Sequence, residues 1–202
     1  MIITHSEFSN LYIKNQKLYN LMFDGVSDFN SLIKNIDDIS KDYLKYSYSE
    51  DQGSDKMKGD LFEIFIEAFI KIFGSNAQIG IGDYSPNKEE DYGVDGFGIG
   101  INGQPVTIQI KYRNNPTYEL LQEDLKQFAF QSIRLFKIDP FSDGDMIVFT
   151  SAKGLHWRTE KNVFCGAIRT IGFDFISNQI NNNIPFWNQI KNVIELSIED
   201  NF

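Results

Sequence analysis

Apolar side chains recur at helical spacing over residues 6 to 23 (Phe8, Leu11, Tyr12, Leu18, Leu21, Met22) and 28 to 46 (Phe29, Leu32, Ile33, Ile36, Ile39, Tyr43, Leu44). The pattern predicts two amphipathic helices. Asp24-Gly25-Val26-Ser27-Asp28 separates them, with a glycine stop and then Ser27 or Asp28 as the N-cap. A polar, acidic stretch from Ser47 to Lys58 follows. From Gly59 to Gly74 the chain is apolar nearly all round, as expected of a central buried helix closed by glycine. Glu63 is the anomaly there: flanked by Phe62, Ile64, Phe65 and Ile66, it needs a partner or a shared polar site.

Strands are predicted at Ala77 to Ile81, Gly93 to Ile101 and Pro105 to Tyr112. Asn102-Gly103 joins the last two as an antiparallel hairpin. Helical spacing returns over 118 to 138 and ends at Asp139-Pro140. Met146 to Thr150 then fits a buried strand, with a further strand at Val163 to Ile168. Helices near Phe173 to Ser177 and Pro185 to Leu196 close the chain, separated by the turn-like Asn181-Asn182-Asn183. The order helix, three strands, helix, strand predicts an α/β domain with a mixed sheet between helices. We expect residues 1–50 to form an N-terminal helical appendage and 51–202 the main body.

Composition narrows the classes. With 202 residues, 42% hydrophobic, and no run of eighteen apolar residues, the chain reads as globular and non-membrane. The N-terminus lacks the basic and apolar segments of a secretion signal, and Cys165 is the only cysteine, so a reducing cytoplasmic setting is expected. A net charge of −9 speaks against a nucleic-acid partner, yet its distribution is uneven. Residues 1–105 hold 9 Lys/Arg against 17 Asp/Glu, and residues 106–202 hold 10 against 11, so the acid is concentrated before the third strand.

The chemistry concentrates on the hairpin. Gln109 and Lys111 are alternate residues of one strand and share a face, with Ile110 turned to the other. Asp95 can sit across from them, and its flanking glycines leave the backbone open to a ligand. Each residue alone also suits an ordinary role: Glu63 as a paired helix acid, Asp95 as a turn residue, Gln109 and Lys111 as the polar face of a strand.

Taken in order, Gly59-Asp60-Leu61-Phe62-Glu63, Gly93-Val94-Asp95-Gly96 and Gln109-Ile110-Lys111 resemble the motifs of the PD-(D/E)XK nuclease superfamily, more narrowly its Mrr-like restriction endonuclease branch. The resemblance covers roughly residues 55 to 170. Val94 stands where the superfamily has proline, and Gln109 where it has an acid, the latter being a feature of the Mrr-like branch. The resemblance implies a restriction-endonuclease-like α-β-β-β-α-β core and a metal-dependent deoxyribonuclease hydrolysing phosphodiester bonds in restriction, defence, phage or mobile-element roles. It implies catalytic Glu63, Asp95, Gln109 and Lys111, with Glu63, Asp95 and Gln109 as ligands of Mg²⁺, for which Mn²⁺ would substitute. DNA is the implied partner, and a homodimer through the N-terminal helices or a helicase or defence-system partner is compatible. The rival reading is a non-cleaving nucleic-acid-binding or protein-interaction module that retains the fold.

Weaker candidates lie nearby. Gln127 and Gln131 are expected on the helix after Lys111, and Thr150 to Arg158 mixes hydroxyls, base and aromatic in a composition suited to phosphate and sugar contacts. Tyr112 and Tyr118 suit stacking or packing. His5 and His156 are too isolated for a zinc site, and Cys165 reads as a core residue.

Overall fold

The computed structural model describes residues 16–46, 48–51, 53–87, 93–139, 141–142 and 144–199, with side chains from 18 to 191. The expected helix over 6 to 23 is therefore described only as α1 (Gln16–Phe23), and its first part, with His5, lies outside the described residues. The chain divides into two compact units, Met1–Ile72 with Ile176–Phe202, and Phe73–Phe175.

The first unit is helical. Asp28 caps α2 (Phe29–Ser40): its carboxylate accepts the Ser31 N–H at 2.8 Å, and the Ser31 hydroxyl accepts the Asp28 N–H at 3.2 Å. A single 3₁₀ turn follows at Tyr43–Tyr46. The next helix, α3 (Gly53–Phe73), starts six residues before the expected Gly59, so the polar stretch contributes its first two turns. Eleven of its residues are buried, which matches its all-round apolar sequence. Two further helices, α6 (Phe173–Ile180) and α7 (Ile184–Glu199), close the chain. Asn181 ties α6 to α2 through the Phe29 N–H, which its side-chain oxygen accepts at 2.8 Å. The core is aromatic: Phe65 meets Phe29, Phe62, Phe69 and Phe186 at centroid separations of 5.7 to 6.5 Å.

The second unit is built on a mixed five-stranded sheet. Its strands are β1 (Ile81–Pro86), β2 (Gly96–Gly100), β3 (Pro105–Lys111), β5 (Asp145–Thr150) and β7 (Ile168–Ile171), in the order β1-β2-β3-β5-β7. The first three are antiparallel neighbours, and β5 and β7 continue parallel to β3. Helix α4 (Gln122–Arg134) makes the crossover from β3 to β5. A two-stranded parallel pair, β4 (Glu119–Leu120) with β6 (Gly154–Leu155), and a one-turn helix α5 (Trp157–Glu160) complete the unit.

Two strand expectations need correction. Ala77 to Ile79 forms a turn, because Asn76 gathers the amides that a strand would need: its side chain accepts Gln78 N–H and its carbonyl accepts those of Ile79 and Gly80. The strand begins only at Ile81. At Val163 to Ile168, a 3₁₀ turn occupies Cys165–Ala167 and β7 starts at its end. The Asn102-Gly103 hairpin forms as expected, with Gly103 at φ +84° and the Gly100 N–H bonded to the Gln104 carbonyl at 2.7 Å. Among the described residues no helix is long and apolar enough to cross a membrane.

Register sets the faces of the sheet. The Thr107 hydroxyl bonds that of Ser132 on α4 at 2.8 Å, both groups buried. Thr107, Gln109 and Lys111 therefore stand on the α4 side, paired in register with Met146, Val148 and Thr150 of β5. Met146 and Val148 join Leu125, Phe128 and Ala129 of α4 in one apolar cluster. Val106, Ile108 and Ile110 form the opposite row.

Candidate functional site

Ladder pairing between β2 and β3 ends at Gly96 opposite Ile108. Beyond it, residues 93 to 95 are knitted to β3 by three bonds of mixed type. Asp95 donates its N–H to the Ile108 carbonyl at 2.9 Å, and its carboxylate accepts the Ile110 N–H at 2.5 Å. Gln109 donates its side-chain amide to the Gly93 carbonyl at 2.9 Å. Asn87 adds a bond from its side chain to the Val94 carbonyl, at 2.8 Å. Asp95, just before β2, and Gln109, on β3, are thus both tied to the same stretch of chain.

The Gln109 amide is 3% exposed, and while its nitrogen serves Gly93, its buried Oε1 has no hydrogen-bond partner among the described residues. A buried carbonyl oxygen without a donor is costly, and a ligand that engages its lone pairs would relieve that cost. Lys111, two residues on along the same face, is half-buried, and its ammonium has no ion pair or hydrogen bond among the described residues. Gly93 itself sits at φ +75°, and a Cβ there would press on Gln127 and Gln109 at 3.4 to 3.5 Å. That places Gln127 of α4 over the same stretch. The Gln131 Oε1 is likewise buried without a partner among the described residues.

Gly96 has a different reason from the expected one. A Cβ on it would fall 2.3 Å from the Tyr84 ring, so the space beside this glycine is filled by Tyr84 and is not open to a ligand.

Glu63 stands on α3 in the first unit and is half-buried. The acids most withdrawn from water on that helix are Asp60 and Glu67, 2% and 3% exposed, which fall near Glu63 on one helical face. Asp60 pairs with Lys56 and accepts the Tyr48 hydroxyl at 2.9 Å. Burial first, then the Asp60 carboxylate and Glu63, push the Tyr48 hydroxyl far above the ordinary tyrosine range. The signal for Asp60 is its seven-residue spacing from Glu67, which puts the two acids on one face of the helix expected from Gly59.

A divalent cation would find an oxygen set of one carboxylate, Asp95, and one amide carbonyl, Gln109, in the second unit. Among the described residues no three His, Cys, Asp or Glu side chains gather as a metal-binding group. Two protein oxygens suit Mg²⁺, which keeps several of its waters and takes few ligands from the protein. The orphaned Gln109 oxygen is the feature that fits such an ion.

The loop after Lys111 is anchored by Asp124. Its carboxylate accepts the Leu121 N–H at 2.8 Å, the Arg113 guanidinium at 2.5 Å and the Tyr118 hydroxyl at 3.0 Å. Burial alone would raise this carboxyl, but the Leu121 amide, Arg113 and Tyr118 outweigh it and hold it below the usual carboxylate value. A group lowered in the folded state stabilises fully above its unfolded pKa, and the contribution disappears as pH falls through the folded value. Asp124→Asn should therefore flatten the decline in melting temperature as pH falls below about 4, the unfolded carboxylate range, relative to the unsubstituted chain. Parallel acid limbs for the two proteins would contradict this account. Burial and the Glu123 charge raise the Cys165 thiol, in keeping with a core cysteine.

No family model and no curated protein matches the chain.

Proposed function

We propose that this protein is a metal-dependent nuclease of the restriction-endonuclease-like kind, acting on DNA through Asp95, Gln109 and Lys111. The observation that carries the proposal is the buried Gln109 carbonyl, unpartnered among the described residues and tied to the same stretch of chain as Asp95. Further support comes from the mixed α/β order, in which a helix precedes an antiparallel three-strand meander and a crossover helix leads on to a parallel strand.

Phosphodiester hydrolysis needs a nucleophilic water, charge neutralisation on the phosphate and help for the leaving oxygen. A bound Mg²⁺ supplies the first two by lowering the pKa of a water and by drawing charge from the phosphate oxygens. Asp95 and Gln109 would hold the ion. Lys111, on the face of β3 shared with Gln109, orients the attacking water and donates to the charge that develops on the phosphate. Its ammonium is available for this because no carboxylate pairs with it among the described residues.

The test is incubation of the purified protein with plasmid, linear duplex and single-stranded DNA, in Mg²⁺, Mn²⁺ or EDTA. Cleavage with either cation and none in EDTA is expected. Intact DNA under every cation would reject the enzyme.

A further inference from the structure

We propose that Trp157, Arg158 and Lys161, with the cleft beside them, form a binding surface for an unpaired nucleic-acid strand, outside the set of residues assigned to cleavage. The choice of a nucleic acid as partner rests on the nuclease reading; the surface itself rests on its position in the fold, its charge and its shape.

Strand β5 runs parallel to β3, with Thr150 beside Lys111, and the chain leaves β5 bonded to that same residue: the Thr150 hydroxyl and Ser151 N–H both donate to the Lys111 carbonyl, at 2.8 and 3.3 Å. From there the chain runs through β6 to α5, so this segment departs from the carboxyl ends of the parallel strands. Ligands of open α/β sheets collect at such ends.

Four of the nine described Lys/Arg side chains of this unit are neutralised internally: Arg113 by Asp124, Lys153 by Glu119, Lys126 by Glu123 and Arg169 by Asp145. Arg158 and Lys161 differ. Their charged groups lie over the Trp157 indole, 5.1 and 4.9 Å from its centroid, and no carboxylate pairs with either among the described residues. A cation held by a π face is oriented without using its N–H donors, which stay available for phosphate oxygens. In a chain of net charge −9 this arrangement selects a polyanion locally against the overall field.

Trp157 is 51% exposed, large for an indole in a folded domain. It borders a cleft of about 680 Å³ whose lining includes Lys153, Leu155, Glu160 and Thr170. The Thr170 hydroxyl is buried and has no partner among the described residues. An aromatic wall, a hydroxyl without a partner among the described residues and two cations against that same ring are what an unstacked nucleotide uses: its base beside the ring, its polar edge toward the hydroxyl, its phosphates on the cations. A duplex keeps its bases stacked and would present only phosphates.

The experiment measures fluorescence anisotropy of a labelled oligothymidylate and of a hairpin duplex, titrated with the full chain across a range of salt. Tighter binding of the unpaired strand is expected. Arg158→Ala with Lys161→Ala should weaken it about tenfold or more and reduce the salt slope by about two, one for each phosphate left without its cation. Trp157→Ala should weaken it at least about fivefold, as for removal of one stacking platform. Arg158→Lys with Lys161→Arg should retain the slope, and thermal melts would confirm that each variant folds. Lys41→Ala with Lys45→Ala removes the same charge from cations already matched by Asp38 and Asp42, and should leave the slope in place.

Equal binding by wild type and the Arg158/Lys161 double variant would overturn the surface while leaving the nuclease proposal to its own cleavage assay. Preference for the duplex, or capture of heparin or an acidic protein in place of nucleic acid, would overturn it as well. A double variant that binds more weakly, in a protein that cleaves nothing, would support the surface and reject the enzyme.

Discussion

Replacing Lys111 by alanine should lower the rate of DNA cleavage by at least about a hundredfold, the size expected of a positioned acid/base or electrostatic group. The lysine stands half-buried at the end of β3, two residues beyond Gln109 on the same face, with its ammonium unpaired among the described residues. An interaction made chiefly in the transition state is felt in rate and much less in ground-state affinity. DNA binding by Lys111→Ala should therefore stay close to that of the unsubstituted chain. If the protein is instead a binding module, Lys111 is one phosphate contact among several, and its removal should weaken binding and flatten the salt dependence by about one unit of slope. Paired measurement of single-turnover cleavage and salt-dependent binding separates the two. An unchanged rate would remove Lys111 from the site, and a fall in affinity without any cleavage by the parent would leave only the binding module.

Phe65→Ala should cost about 3 to 5 kcal/mol of stability, among the largest effects of any single truncation in the helical unit. Phe65 is fully buried at the middle of α3 and touches four other rings, stacked on Phe29 at 5.7 Å and meeting Phe186 edge to face at 6.5 Å. Truncation removes the transfer energy of the ring, opens a cavity among side chains that are themselves bulky and rigid, and breaks the ring pairs together. The check is the midpoint of urea unfolding, with the slope required to stay constant so that the midpoint reports stability alone. Leu44→Ala, at a residue 58% exposed, serves as the reference and should fall within about 0.5 kcal/mol of the parent. A decrease below about 1 kcal/mol at Phe65 would mean that the neighbouring rings collapse into the space.

The sequence is readable where one physical signal dominates. The α3 segment is apolar on every side, and only a buried helix accommodates that; Asn102-Gly103 marks the turn, with Gly103 taking the positive φ that the hairpin needs, and the shared face of Gln109 and Lys111 follows from strand alternation. Reading fails where tertiary position overrides local pattern. Strand β1 runs through Gly82, Asp83, Ser85 and Pro86, a composition that suggests a loop, and it is a strand because it lies at the sheet edge, where polar side chains and a proline are tolerated. Gly96 looks open to a ligand in sequence because the Tyr84 ring that fills its surroundings comes from another strand. Arg158 falls in the segment whose mixed composition suits phosphate contacts, but that it and Lys161 share the Trp157 ring, with no carboxylate paired to either among the described residues, is visible only in coordinates.

The bond from the Ile110 amide to the Asp95 carboxylate gives that aspartate a duty independent of any reaction. The β2 ladder has ended at Gly96 opposite Ile108, so this stretch of β3 looks to a side chain for its acceptor, and an amide withdrawn from water without one costs about 1 to 3 kcal/mol. Under the nuclease proposal, a lineage that gave up hydrolysis would still be held to Asp or Asn at position 95 by folding alone. Position 111 carries no such obligation, because the lysine side chain bonds to nothing among the described residues. Across descendants of this chain, persistence of the aspartate would be a mark of the fold, and persistence of the lysine a mark of the chemistry.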